Sequence, residues 1–238
     1  MGLEMGEFDF AGLVASLRLD QGEAGQAIKE REQAESAARM REWRQEVIAA
    51  VPNWPWARWE NKAWSSNLHS TIRRELEAWA PFQLQDGRIT TGESVVLCGP
   101  SGCGKSTGIY AALSAAVKKV RHAVETQGQP FRGWAQVVWV TEAQLVLEAS
   151  QRKTDLFRKA SSATVLVLDE LGLANGHVAP VGQSPVVMAL LAERYDRGAA
   201  TIATSGVPQR VLAEKYGTGA VRRLIHRAKV VDIFTSVK

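Results

Sequence analysis

A short apolar segment that leads through a glycine-rich loop into a helix constrains the fold of this chain more than any other feature. The segment Ser94–Cys98 is apolar after its first residue, as is typical of a strand buried on both faces of a sheet. A helical pattern covers Ser106–Glu125. Between them lies Gly99-Pro100-Ser101-Gly102-Cys103-Gly104-Lys105-Ser106, which has the form G-x-x-x-x-G-K-S. A strand, a tight loop and a helix in this order predict a parallel α/β sheet.

The composition of the loop predicts its chemistry. Glycines let the backbone bend so that N–H groups point inward, where they can bind phosphate oxygens. The helix that follows adds the positive end of its dipole. We therefore expect ATP to bind here, with Lys105 reaching the β- and γ-phosphates and the Ser106 hydroxyl holding Mg2+. The expected nucleotide contacts are Gly99, Pro100, Ser101, Gly102, Cys103, Gly104, Lys105, Ser106 and Thr107.

An acidic pair follows another apolar run. The predicted strand Ala163–Leu168 ends directly before Asp169 and Glu170, which places both at the carboxyl edge of the sheet, beside the loop. We expect Asp169 to hold Mg2+ through water, and Glu170 to orient and deprotonate an attacking water molecule. An acidic turn or helix cap is the alternative. A kinase for small molecules is another possible function of such a site. Because a kinase has its own phosphoryl acceptor, a water-activating glutamate favours ATP hydrolysis over that function.

Strand and helix patterns alternate from Glu93 onward. The remaining predicted strands are Ala135–Val140, Ala200–Thr204 and Lys229–Phe234, and the remaining predicted helices are Glu142–Gln151, Pro185–Asp196, Pro208–Tyr216 and Gly219–Ala228. The segment Gly172–Ser184 is rich in glycine and proline and is predicted to be a loop. Together the patterns predict an α/β fold of three layers with a parallel central sheet, over residues 91–238.

Residues 1–50 differ from the rest in pattern. We expect an amphipathic helix over residues 9–20, closed by Gln21-Gly22, and a second, very polar helix from Glu23 to about Ala50. Few positions of the second helix are apolar, so we expect it to be buried only shallowly. Opposite charges recur in it at four-residue spacing, which favours a solvent-exposed helix: Arg31, Glu35 and Arg39. This region is interpreted as a helical N-terminal region that binds a partner.

A tryptophan-rich connector with a lead-in helix occupies residues 51–90. Val51-Pro52 ends the helical pattern, and a short helix is predicted over Ser66–Trp79. Five tryptophans fall within 26 residues: Trp54, Trp56, Trp59, Trp64 and Trp79. With Arg58 and Lys62 they can stack on nucleic-acid bases. Packing of the connector onto the neighbouring domain is the favoured interpretation, because large aromatic side chains more often serve burial.

Composition excludes several classes of protein. The sequence has no run of 18 apolar residues, so no membrane-spanning helix is expected. Two cysteines cannot form a disulfide framework or a four-ligand zinc site by themselves. Acids precede the first base, Arg18, which is the reverse of a secretory signal, and a cytoplasmic protein is expected. Residues 1–90 have a net charge of −3 and residues 91–238 of +7, so a polyanion should meet the second part first.

These motifs make the chain similar to the DnaC/DnaI/IstB-like branch of the AAA+ ATPases over residues 30–238. The resemblance depends on the phosphate loop and on three further segments: Leu168-Asp169-Glu170-Leu171-Gly172, Glu193-Arg194-Tyr195 leading to Thr201-Ile202-Ala203-Thr204-Ser205, and Arg223-Leu224-Ile225-His226-Arg227-Ala228. It implies a P-loop AAA+ domain that binds ATP and Mg2+, hydrolyses ATP, assembles as a homo-oligomeric ring or spiral and associates with DNA.

The resemblance also implies roles for residues outside the loop. Thr204 and Ser205 match the strand end that senses the γ-phosphate, although Gly206 stands where the family usually has asparagine. Arg223 matches the arginine that reaches the nucleotide of a neighbouring subunit, with Arg222 as the substitute candidate. An arginine supplied in trans stabilises the charge of the transition state. Simple solvation of a helix by both arginines is the alternative.

Two further positions are interpreted through the same resemblance. The terminal arginine of the family has at best Lys238 in its place, which keeps the charge and loses the planar fork. The segment between the second and third strands resembles the insert that lines a central groove for DNA, and its cations suit contact with phosphates of any sequence. These cations are Arg152, Lys153, Arg158 and Lys159. A solvated charged surface is the alternative.

Two roles share the same predicted active site. The first is a DNA-associated ATPase that loads a replicative helicase, with the N-terminal region docking on that partner. The second is a transposition helper, in which the same ATPase binds duplex DNA and recruits a transposase. The separately charged, aromatic-linked N-terminal region favours the loader. The expected DNA is single-stranded for a loader and long duplex for a helper.

Overall fold

The computed structural model describes residues 10–50, 68–79, 82–132, 136–174, 177–178 and 184–234. Several predictions fall outside these residues: those for Lys238 and for Trp54, Trp56, Arg58, Trp59, Lys62 and Trp64 in the connector.

The described residues form eight helices and nine strands. The helices are α1 (Phe10–Ala50), α2 (Ser70–Ala78), α3 (Lys105–Glu125), α4 (Glu142–Ser150), α5 (Asp155–Ser162), α6 (Pro185–Asp196), α7 (Gln209–Tyr216) and α8 (Thr218–Ile225). The strands are β1 (Phe82–Gln85), β2 (Arg88–Thr91), β3 (Ser94–Cys98), β4 (Val137–Thr141), β5 (Val165–Leu171), β6 (Leu173–Ala174), β7 (His177–Val178), β8 (Ala200–Ser205) and β9 (Ala228–Asp232).

Five strands form a parallel sheet in the order β4-β5-β8-β3-β9. Alternate residues of β3 face opposite layers of helices. Val95 and Leu97 pack in one buried cluster with residues of α1, α2 and α3, whereas Val96 and Cys98 pack in another with residues of α4, α6, α7 and α8. The predicted three-layer α/β fold with a parallel central sheet is confirmed. The carboxyl ends of β3, β5 and β8 therefore meet at one edge.

Predicted elements after residue 91 are present, with ends shifted by up to three residues. Elements that were not predicted are the β1–β2 hairpin, helix α5 and the β6–β7 hairpin. The β1–β2 hairpin turns at Asp86-Gly87, where both residues have positive φ angles of 50° and 79°, and Asp-Gly is a favoured pair for such a turn. Helix α5 lies in the basic segment that was interpreted as an insert, and the β6–β7 hairpin lies in the predicted loop Gly172–Ser184.

The prediction of two N-terminal helices separated at Gln21-Gly22 is wrong, because α1 continues through both residues. A glycine in a helix costs about 1 kcal/mol but does not by itself end it. The expected shallow burial is also wrong for the last turns of α1. Met40, Trp43 and Val47 follow at helical spacing and are at most 1% exposed. The predicted ion pairs are confirmed, with Glu35 lying 3.1 Å from Arg31 and 3.2 Å from Arg39.

The C-terminal part of α1 is fixed to the α/β core by specific contacts as well as by burial. The Trp43 ring lies 5.9 Å from the ring of Phe131, and the Phe131 N–H donates to Ser36 Oγ at 2.8 Å. Within the described ranges, no helix is both long enough and apolar enough to cross a membrane.

Candidate nucleotide-binding site

The glycine-rich loop connects β3 to α3 at the carboxyl edge of the sheet. Gly102 and Gly104 have φ angles of 81° and 87°, a conformation that residues with a side chain rarely adopt. A Cβ atom at Gly104 would also lie 3.0 Å from the Cα atom of Leu68. The residues just before α2 therefore brace the loop, a contact that the sequence reasoning did not anticipate.

Lys105 lies inside the curve of the loop. Its ammonium group donates to the carbonyl oxygens of Gly99 at 2.7 Å and Pro100 at 2.9 Å, and Cys103 Sγ lies 3.7 Å from it. The residue is only 8% exposed. A cation beside inward-facing backbone amides and the start of α3 is a site for phosphate groups.

Asp169 lies at the centre of a polar cluster next to the loop and is 3% exposed. Ser106 Oγ donates to its Oδ1 at 2.9 Å, and Thr204 Oγ1 donates to the same oxygen. Its other oxygen accepts from Trp139 Nε1 at 3.2 Å. The structure thus brings together Ser106, Asp169 and Thr204 from α3, β5 and β8, and it adds Trp139 of β4.

Glu170 lies on an irregularity of strand β5. Leu168 pairs with Ala203 and Leu171 with Ser205, so two residues of β5 oppose the single residue Thr204. Glu170 has a φ angle of 61°, and such a left-handed backbone at a non-glycine residue costs on the order of 1–3 kcal/mol. Its N–H donates to Thr204 Oγ1 at 2.9 Å. This bulge turns Asp169 inward and leaves the Glu170 side chain exposed at the same edge.

Ser205 and Thr204 differ in what their hydroxyl groups contact. Ser205 Oγ donates to the carbonyl oxygen of Val207 at 2.8 Å, accepts from the Val207 N–H at 3.0 Å, and is fully buried. Its hydroxyl therefore closes a turn that includes Gly206, whereas Thr204 contacts both acidic residues of the cluster.

The oxygen donors of the cluster fit a magnesium ion carried by a nucleotide. Mg2+ prefers oxygen ligands and usually takes one or two from the protein, with the others from phosphates and water. Ser106 Oγ and Asp169 Oδ1 are two such donors, 2.9 Å apart. In the described part of the chain, no group of three or more histidine, cysteine, aspartate or glutamate side chains is placed to hold a metal by itself.

Arg222 and Arg223 are both exposed on α8. Arg223 lines a cavity of about 340 Å³ together with Ser94, Tyr195 and Arg227. Ser94 is the first residue of β3, so this cavity opens at the amino end of the strand. The loop begins at the other end, about 13 Å away at 3.3 Å per residue.

The four basic residues of the predicted DNA segment are all exposed. Two lie in the turn after α4 and two on α5: Arg152, Lys153, Arg158 and Lys159. The Glu148 carboxylate accepts from the Leu156 N–H at 2.9 Å, so α4 caps the start of α5 and fixes the turn between them. Arg158 pairs with Asp155 of its own helix.

A buried charged group behind the acidic bulge was also missed by the sequence reasoning. Glu142 begins α4, and Lys215 and Tyr216 end α7; they are 4%, 6% and 0% exposed. The sequence did contain a signal for the burial of Lys215. Leu212, Lys215 and Tyr216 share one face of α7 at helical spacing, and the face that holds Leu212 and Tyr216 is buried.

Comparison with known proteins gives a family match and several solved structures of similar fold. A family model described as IstB-like ATP binding protein matches residues 83–236. No match is found among curated proteins. The structure of DnaI is 18% identical with a TM-score of 0.48, over 75% of this chain and 88% of that chain. The DnaC helicase loader is 18% identical with a TM-score of 0.42, over 68% and 85%. Domain III of the Thermotoga maritima replication initiation protein DnaA is 16% identical with a TM-score of 0.46, over 76% and 69%.

Proposed function

Because this chain belongs to the family of IstB-like ATP-binding proteins, we propose that it is a DNA-associated AAA+ ATPase whose loop at residues 99–107 holds ATP for hydrolysis. One observation carries the proposal: the chain of hydrogen bonds that joins Ser106, Asp169, Thr204 and the Glu170 backbone beside the loop. A nucleotide site built for binding alone has no need of an exposed glutamate held at that position.

Binding is assigned to the loop and the start of α3. The backbone amides of residues 99–107 contact the phosphates, and Lys105, whose contacts are with loop carbonyls, moves its ammonium to the β- and γ-phosphates. Ser106 and Asp169 hold Mg2+, which supplies positive charge to the phosphate oxygens.

Water activation is assigned to Glu170. Its carboxylate is exposed at the edge of the sheet where the γ-phosphate would lie, and it accepts the proton of the attacking water. Thr204 is favoured over Ser205 as the residue that senses the γ-phosphate, because its hydroxyl contacts both Asp169 and the Glu170 N–H. A change at the phosphate can reach both acids through that hydroxyl.

The position of Arg223 supports assembly. A guanidinium at the amino end of β3 cannot serve the loop at the other end of the same strand, but it is free to approach the loop of a neighbouring copy. We therefore assign Arg223 to the nucleotide of the next subunit in a homo-oligomer, with Arg222 beside it as the substitute.

Loading of a replicative helicase is the specific role that the N-terminal helix favours. Helix α1 has 41 residues and is about 60 Å long. Among residues 24–50, whose burial the structure describes, the residues buried in the core lie in the C-terminal part. The exposed, charged portion of α1 is a docking element for a protein partner. Arg152, Lys153, Arg158 and Lys159 are assigned to DNA phosphates, since all four are exposed.

A transposition helper is the second candidate, and the match to the IstB-like family model favours it. The two roles differ in the DNA they need. A loader should bind single strands in the presence of ATP and should bind a replicative helicase. A helper should prefer long duplex and should bind a transposase.

The proposal is tested by measuring ATP hydrolysis without DNA, with single-stranded DNA and with long duplex, together with the mass of the ATP-bound protein. We expect hydrolysis that DNA stimulates and a mass that rises in multiples of the 26.0 kDa chain. Lys105→Ala is the matched control and should lose both the ATP hydrolysis and the rise in mass. Hydrolysis that persists in Lys105→Ala, or a wild-type protein that never binds ATP, would overturn the proposal.

A further inference from the structure

Three buried polar side chains meet behind the Glu170 bulge. Lys215 Nζ lies 3.0 Å from Glu142 Oε1, and Tyr216 OH donates to Glu142 Oε2 at 2.6 Å. Burial, followed by the hydrogen bond with the Glu142 carboxylate, raises the pKa of Tyr216, so its hydroxyl stays protonated and can donate at neutral pH. We call Glu142, Lys215 and Tyr216 the buried triad.

The triad holds the backbone that follows the bulge. The Gly172 N–H donates to Glu142 Oε2 at 3.0 Å and to Tyr216 OH at 2.9 Å. Gly172 has a φ of 84°, and a Cβ atom there would lie 2.7 Å from Val207 Cγ2. Only a glycine fits this approach, and a glycine has no side chain of its own to fix its position. Its hydrogen bonds to the triad therefore fix the backbone directly after the bulge.

Stability alone does not account for a charged pair in this place. Removing two charges from water is costly, and replacing a buried ion pair by apolar residues of similar volume is often neutral or stabilising. The carboxylate does have the positive end of α4 nearby, since Glu142 is the first residue of that helix. What an apolar replacement lacks is an acceptor for the Gly172 and Tyr216 donors.

The same residues connect the bulge to the arginine helix. Tyr216 is the last residue of α7, Gly217 follows with a φ of 82°, and α8 begins at Thr218 and carries Arg223. A shift of α8 thus acts on Tyr216 through a single residue, and Tyr216 contacts Gly172, two residues after Glu170.

We infer that the buried triad positions Glu170 for hydrolysis and links it to helix α8, so that the arginine contact made with a neighbouring subunit influences the water-activating residue of the same chain. This inference rests on the proposed role of Glu170. It makes Glu142, Lys215 and Tyr216 positioning residues, which touch neither the nucleotide nor the water.

The test is a double-mutant cycle between Tyr216→Phe and Glu170→Gln. Tyr216→Phe keeps the ring and removes only the hydroxyl. In single-turnover hydrolysis we expect it to lower the rate about three- to tenfold, with the Kd for ATP unchanged within about twofold. In the Glu170→Gln background the further loss should be less than about twofold, because the residue through which Tyr216 acts is already missing.

Tyr110→Phe is the matched control, since Tyr110 is also buried but packs on the opposite face of the sheet. It should leave the hydrolysis rate within about twofold of wild type. A double variant, Glu142→Gln with Lys215→Met, removes both charges and keeps a carbonyl acceptor for Gly172. Circular dichroism of this variant and of Tyr216→Phe, compared with wild type, shows whether a slower rate comes from loss of folding.

The outcomes separate this inference from the proposed function. The inference would be overturned if Tyr216→Phe hydrolysed ATP at the normal rate, or if it lowered the rate equally in the wild-type and Glu170→Gln backgrounds. The proposed function would still stand in that case, provided that Glu170→Gln itself is slow. A Glu170→Gln protein that hydrolyses ATP like wild type would overturn both.

Discussion

Replacing Lys215 by methionine should destabilise the protein through the charge that it leaves behind. The Glu142 carboxylate, in a side chain only 5% exposed, would lose its cation and keep only the donors Tyr216 OH and Gly172 N–H. Breaking a buried ion pair from one side typically costs about 3–5 kcal/mol. Because two donors remain, we expect the lower end, about 3 kcal/mol, which is a large part of a typical domain stability of roughly 5–15 kcal/mol.

The free energy of unfolding is measured by urea denaturation at neutral pH, monitored by circular dichroism. For a chain of this size the same loss lowers Tm by about 6–12 °C. Two controls make the result specific. Lys119→Met on the exposed face of α3 should change the free energy of unfolding by less than about 0.5 kcal/mol. The double variant Glu142→Gln with Lys215→Met should recover most of the loss, since no unpaired charge remains. A single variant as stable as wild type, or a double variant as unstable as the single one, would refute the reasoning.

Three further predictions concern the nucleotide site. Glu170→Gln should bind ATP normally but hydrolyse it about 10²–10⁴-fold more slowly in a phosphate-release assay, since only water activation is lost; an unchanged rate would contradict its role as base. Mixing Arg223→Ala subunits with Lys105→Ala subunits should restore part of the hydrolysis that each lacks alone, and mixtures without activity at every ratio would exclude Arg223 as the residue acting in trans. Alkylation of Cys103, a half-buried free thiol, should slow about 100-fold when ATP is present at 100 times its Kd, because we expect bound nucleotide to cover the thiol. Cys98 is the internal control in a mass-spectrometric assay: burial raises its pKa to about 12, so it should react with or without ATP far more slowly than Cys103.

The central strands of the sheet were predictable from the sequence because they are buried on both faces. Strands β3 and β5 contain the apolar runs Val95–Cys98 and Val165–Leu168, and every residue of β8 is buried, because helices cover the sheet on each side. The loop at residues 99–107 was predictable because its glycines are required by local backbone geometry. Both properties leave a pattern that can be recognised within a few consecutive residues.

The features that were missed depend on contacts between distant segments. Helix α5 is short, and its start is capped by the Glu148 side chain of the preceding helix. The burial of Met40, Trp43 and Val47 depends on a surface of the core that lies far away in the sequence, although their helical spacing was visible in it. The buried triad joins residues 73 and 74 positions apart, so only the folded chain shows that Lys215 and Tyr216 meet Glu142. The hairpin β1–β2 is different, because its Asp86-Gly87 turn was legible in the sequence.

The left-handed backbone at position 170 implies a trade-off between the durability of the fold and its chemistry. A glycine there would adopt the observed φ of 61° without the penalty on the order of 1–3 kcal/mol that a side chain incurs. The chain instead has a glutamate at this strained position of its five-stranded sheet. Natural proteins commonly give up some folding free energy at such places in return for activity. The single substitution Glu170→Gly should therefore make the fold more stable and remove the side chain that activates water.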